Sequence, residues 1–140
     1  MAAFKAFIAG FLSTLIFHQG MHAIFYLTGL TTRAPFQMTA TAPLHVPQVI
    51  SLAFWGGVWA IALWFALRRC KGASYWLGWL LAGAIGPTVV ALLLVFPLKG
   101  LPMGGGWEPK LWIAGLILNG VWGIGVAILL KLWPGRRAEG

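Results

Sequence analysis

Histidines at positions 18 and 22 stand one helical turn apart, with Gln19 between them and Tyr26 one turn further on. Two imidazoles at i and i+4 can grip one edge of a metal ion, relay a proton, or bond across to neighbouring helices. Zinc or copper needs at least a third ligand, for which His45 and Met38 are the candidates. One haem cannot take both histidines as axial ligands, because those lie on opposite faces of the ring. Three more polar residues sit in apolar runs: Ser51, Thr88 and Asn119. The candidate lining of a ligand-binding polar pocket is therefore His18, Gln19, His22, Tyr26, Ser51, Thr88 and Asn119. The candidate metal ligands are His18, His22 and His45. No cofactor is favoured; metal and haem both stay open.

Catalysis has little to work with. The chain holds two acidic residues, Glu108 and Glu139, and offers neither paired carboxylates nor a Ser/His/Asp set. Gly104-Gly105-Gly106 lacks the Lys-Ser/Thr that follows a phosphate-binding glycine loop, and reads as a flexible hinge. Cys70 is the single cysteine, so an internal disulfide is excluded.

The elements that must position these residues belong in lipid. The composition is 60% hydrophobic and 9% charged, whereas soluble domains carry about 25% charged residues. The 140 residues make one membrane domain. A net charge of +8 would suit nucleic acid, but the basic residues sit just outside apolar runs and form no basic helix. Anionic lipid headgroups are the better partner for them.

A helix needs roughly 20 apolar residues to cross about 30 Å of hydrocarbon. Four stretches qualify, at about 5–29, 48–68, 75–97 and 110–133, separated by Pro/Thr-rich, basic and Gly/Pro-rich breaks. The expected fold is an all-α, polytopic four-helix bundle. The first run outlasts a signal-peptide core, which argues for a retained helix. Lys5, Arg68, Arg69, Lys71, Lys131, Arg136 and Arg137 fall on one side, against Arg33, Lys99 and Lys110 on the other. The positive-inside rule then places both termini and the middle loop in the cytoplasm.

The two halves resemble each other. GGVWAI (56–61) parallels NGVWGI (119–124), and LTGLT (27–31) parallels LKGLP (98–102), in the same order. Each unit is a helix pair, so the expected symmetry is a parallel repeat. Small residues recur at spacing four in Ala6-Gly10-Thr14, Gly56-Ala60, Gly78-Ala82-Gly86 and Gly115-Asn119-Gly123, where backbones can approach closely. Trp76, Trp112 and Trp133 suit interfacial anchoring, while Trp59 and Trp122 should fill the bundle.

The row Gly10-Thr14-His18-His22 places the histidines on the face marked for helix contact, roughly 7–13 Å below the outer boundary. There they should reach Asn119 or Thr88. Ser13 and Thr14 lie deeper and should bond their own helix carbonyls. Pro87 removes one hydrogen bond and frees a carbonyl near Gly83. These features predict a polar pocket in the outer half of the bilayer, with the 31–47 loop as its lid.

The combination of FHQG (17–20), VPQVISLAFWGGVW (46–59) and NGVWGI (119–124) resembles small bacterial four-span inner-membrane proteins, a group that brings no activity with it. The resemblance implies the architecture and inner-membrane placement. The leading expectation for function is a non-catalytic subunit or assembly factor of a larger inner-membrane complex, associating with other membrane subunits or with itself. A small-solute or proton-linked transporter or channel is the alternative, and a metal- or haem-binding protein using His18 and His22 a further one. Reporter fusions after residues 40 and 104 should read as external and one after residue 72 as internal. A cytoplasmic signal at 104 would overturn this threading.

Overall fold

A computed structural model describes residues 1–133; Arg136, Arg137 and Glu139 lie outside the described residues. Four helices, each long and apolar enough to cross a membrane, form the bundle: α1 Ala2–Leu27, α2 Gln48–Leu67, α3 Ala73–Leu98 and α4 Pro109–Leu132. The expected spans hold to within a few residues. Pro47 and Pro109 sit at the starts of α2 and α4, where a missing N–H costs nothing. Between α1 and α2 the chain adds a two-stranded antiparallel hairpin, β1 Ala40–Thr41 with β2 Val46–Pro47, in which Ala40 faces Pro47.

The two matched loop motifs are one device used twice. After α1, Leu30 N–H donates to Phe25 C=O and Gly29 N–H to Tyr26 C=O; after α3, Leu101 donates to Phe96 and Gly100 to Pro97. This is the Schellman ending, which needs a left-handed residue at its turn. Gly29 at φ 76° and Gly100 at φ 74° supply it.

Each helix packs most extensively on its hairpin partner, α1 on α2 and α3 on α4, and α1 against α4 joins the pairs. Glycines set the distances. A Cβ on Gly10 would collide with the Gly56 carbonyl and the Ala60 methyl, and one on Gly125 would meet Ser13 and Phe17. Between α3 and α4, a Cβ on Gly83 would stand 3.0 Å from the Gly123 Cα, and one on Gly115 would stand 2.9 Å from the Thr88 methyl. The rows Gly56-Ala60 and Gly115-Asn119-Gly123 thus face helix partners as expected. Gly78-Ala82-Gly86 is not α3's row into α4: Gly86 meets the Trp59 ring and Gly78 meets Leu67, both on α2. The face toward α4 is instead Trp79, Gly83 and Thr88. Its step of five falls across Pro87, which has no N–H to close a regular turn onto Gly83.

A similar shift alters α1. Residues Thr14–His18 form a π-turn, in which Gln19 N–H reaches back five residues to the Thr14 carbonyl. The wider turn moves the buried stripe from Thr14 to Gln19, where an even spacing of four would have carried it to His18. Ala6, Gly10, Ser13, Thr14 and Gln19 are buried, and His18 and His22 are only partly so. Gly104-Gly105-Gly106 also departs from its reading as a hinge. All three glycines and Trp107 take φ of 60–67°, making a left-handed turn. Trp112 closes it by donating Nε1–H to the Gly104 carbonyl at 2.9 Å, with Trp107 stacked on its ring.

Overpacking at the α1/α2 contact gives a direct check. Gly10→Val should lower stability in detergent by about 1–3 kcal/mol. Gly20→Ala, with nothing within 4 Å of the new methyl, should leave the unfolding midpoint unchanged or raise it.

Candidate functional site

Most polar residues of the spans fall into three hydrogen-bonded groups, apart from Tyr75, which bonds the Ala127 carbonyl. The deepest joins α1 to α4. Ser13 Oγ donates to the Trp122 carbonyl at 2.7 Å, and Trp122 Nε1–H donates to the Gly10 carbonyl at 3.1 Å. Thr14 Oγ1 donates to the same Gly10 oxygen at 3.0 Å. Thr14 thus bonds its own helix as expected, but Ser13 bonds across to another. Trp122, 2% exposed, fills the bundle as its position suggested.

The second group is a single bond between α3 and α4, from Asn119 Nδ2 to Thr88 Oγ1 at 2.9 Å. Thr88 is buried, and Gly115 packs on it one turn before Asn119. A short polar side chain and an amide thus clasp two helices.

The third group holds the first loop to α1. Gln19 is 4% exposed; its Oε1 accepts the Phe36 N–H at 2.7 Å and its Nε2 donates to His18 Nδ1 at 3.2 Å. Phe36 has φ 54°, a left-handed conformation costing a bulky residue roughly 1–2 kcal/mol. The charge-free but short bond from Gln19 helps hold it there. Val49 and Gln48 at the start of α2 donate main-chain bonds to Gln37 and Thr39, so the loop folds back over the end of the bundle where α1 stops and α2 starts. His22 lies against the main chain of Arg33 in the same loop.

The seven candidate residues therefore do not share one hydrogen-bond network. His18, Gln19 and His22 gather beneath the loop, while Thr88 and Asn119 bond each other. Among the described residues no hydrogen bond links the two sets. The expected reach from the histidines to Asn119 or Thr88 is replaced by these local bonds. The π-turn is the reason, since it gives the inward position to Gln19. Tyr26 is 43% exposed, outside the helix contacts, and Ser51 is partly buried about one turn into α2. His45 is exposed beside the hairpin strand β2, at φ 55°. No three His, Cys, Asp or Glu side chains come together among the described residues in a group able to hold a metal. His18, His22 and His45 thus do not converge on one ion.

One contact and one residue escaped the sequence reading. The spacing of Ser13 and Trp122 gave no sign that they meet, because they are 109 positions apart. Trp79, at 1% exposure, is the largest fully buried side chain among the described residues, and only its place one turn before Gly83 hinted at this.

Fold and site together define a multi-pass, four-helix membrane protein whose intramembrane polar groups are largely engaged with one another. Comparison with protein-family models, with curated proteins and with solved structures finds no match.

The Gln19 anchor can be tested by hydrogen exchange. Gln19→Leu should leave the bundle assembled and speed exchange at the Phe36 amide about tenfold or more, the cost of one lost buried acceptor. Unchanged protection at Phe36 would show that the loop is held by something other than Gln19.

Proposed function

We propose that this chain is a non-catalytic integral membrane subunit or accessory protein of a larger complex in the bacterial inner membrane. The observation that carries the proposal is how the intramembrane polar groups are used. Ser13, Thr14, Gln19, Thr88, Asn119 and Trp122 bond main chain or one another within the chain. A transporter would present such groups to a passing solute; here they set helix positions.

The rest of the molecule supports the same reading. The short loops leave little mass outside the lipid, and aromatic residues such as Phe54 and Trp55 stand exposed and edge-to-face on α2. Such a surface offers another membrane helix rigid apolar area. We read the termini as cytoplasmic, from the basic residues at that end. In this reading the outer-half polar site is the His18, Gln19 and His22 group under the first loop. A parallel repeat is favoured by α1 and α3, both 26 residues long, with matching glycine endings and a π-turn each, at Thr14–His18 and Ala91–Val95.

Purification in mild detergent from native membranes should bring down a stoichiometric membrane partner. A chain that purifies alone and catalyses solute-dependent flux in liposomes would replace this reading with a transporter. Stoichiometric metal by elemental analysis, or a Soret band, would replace it with a metal- or haem-binding role.

A further inference from the structure

The end of the bundle opposite the two loop-bearing turns carries a cleft of about 340 Å³, bounded by the start of α1, the α2–α3 turn and the end of α4. Lys5, Arg68 and Lys131 line it, although they are far apart in sequence. Among the described residues no Asp or Glu lines it, and Glu108 stands at the other end of α4. The cations rest on rings: Lys131 Nζ is 4.8 Å from the centre of Tyr75, and the Arg68 guanidinium is 5.8 Å from that of Trp64. Cation–π contact holds each charge in place and leaves N–H donors for an anion. Tyr75 is itself fixed, its hydroxyl donating to the Ala127 carbonyl at 2.9 Å.

The floor of the cleft is different. Leu67, Leu130 and Trp79 line it, and Trp79 lies six residues into α3, about 9 Å along the helix. Its indole N–H is buried and has no acceptor among the described residues. The cleft thus offers cations at the rim, apolar walls below, and a donor at depth that lacks a partner. A free anion would use the rim alone. A molecule with a phosphate joined to ester oxygens and an acyl chain would use all three.

We propose that this cleft binds one anionic phospholipid. Its phosphate lies between Arg68 and Lys131, and an ester oxygen accepts the Trp79 N–H. This goes beyond the general attraction of basic loops to charged lipid, because it requires a defined site with defined stoichiometry.

The test is native mass spectrometry of the full-length protein in detergent, titrated with phosphatidylglycerol or phosphatidylcholine. One phosphatidylglycerol should bind with clear preference over phosphatidylcholine. The double variant Arg68→Gln, Lys131→Gln should weaken that binding about thirtyfold, from the loss of two surface charges. Trp79→Phe, which removes the donor and keeps a ring, should weaken it about fivefold. The pair Lys99→Gln, Lys110→Gln at the other membrane face should leave it unchanged. Equal binding of both lipids, or an equal loss in the Lys99/Lys110 pair, would overturn the site. Displacement of the lipid by millimolar inorganic phosphate would assign the rim to a free anion and overturn the lipid. If the Arg68/Lys131 variant fails to fold, Trp79→Phe decides: unchanged lipid affinity sinks the proposal.

Discussion

In hydrocarbon, helices gain little by covering apolar side chains, because the lipid they leave is as apolar as leucine. Close backbone packing and internal hydrogen bonds must hold the bundle instead. In this protein both meet at the Gly10 carbonyl. Gly10 itself lets α2 approach through Gly56 and Ala60, and its oxygen accepts from Thr14 and from Trp122 of α4. Ser13 returns a bond to the Trp122 main chain. Three helices are fixed against one another within a single turn of α1. The fourth joins through α4, by the glycine contact of Gly83 with Gly123 and the bond between Asn119 and Thr88.

That junction explains why irregular turns are tolerated. With α1 locked at Gly10 to Thr14, the second half of the helix must still bring a polar residue inward to anchor the first loop. The π-turn performs that rotation, moving Gln19 into the packed face and leaving His18 as its neighbour. In α3, Pro87 lies where the contact row steps from Gly83 to Thr88.

The two ends of the bundle have different characters. At the end that carries the first and third loops, the left-handed glycine turn, pinned by Trp112, and the loop held by Gln19 cover the helix termini with main-chain bonds. At the other end, cations resting on aromatic rings surround an open cleft. One end is closed by self-contact and the other exposes recognisable chemistry.

The four spans, their boundaries and the all-α class were legible because hydrophobic run length and Pro/Gly breaks are local properties of the chain. The glycine endings after α1 and α3 were legible as a repeated motif for the same reason: the Schellman bond pattern lies within six residues. The close-packed rows of α2 and α4 could also be read, since those helices run regularly enough for spacing four to mark one face. The site was another matter. Extrapolating a row through Thr14 to His18 assumed an unbroken helix, and a π-turn forms where packing of neighbouring helices rewards it. The meeting of Ser13 with Trp122, the pairing of Asn119 with Thr88 and not with a histidine, and the convergence of Lys5, Arg68 and Lys131 depend on how helices cross. Sequence spacing fixes angle around one helix; only the tertiary structure decides which neighbour that angle faces.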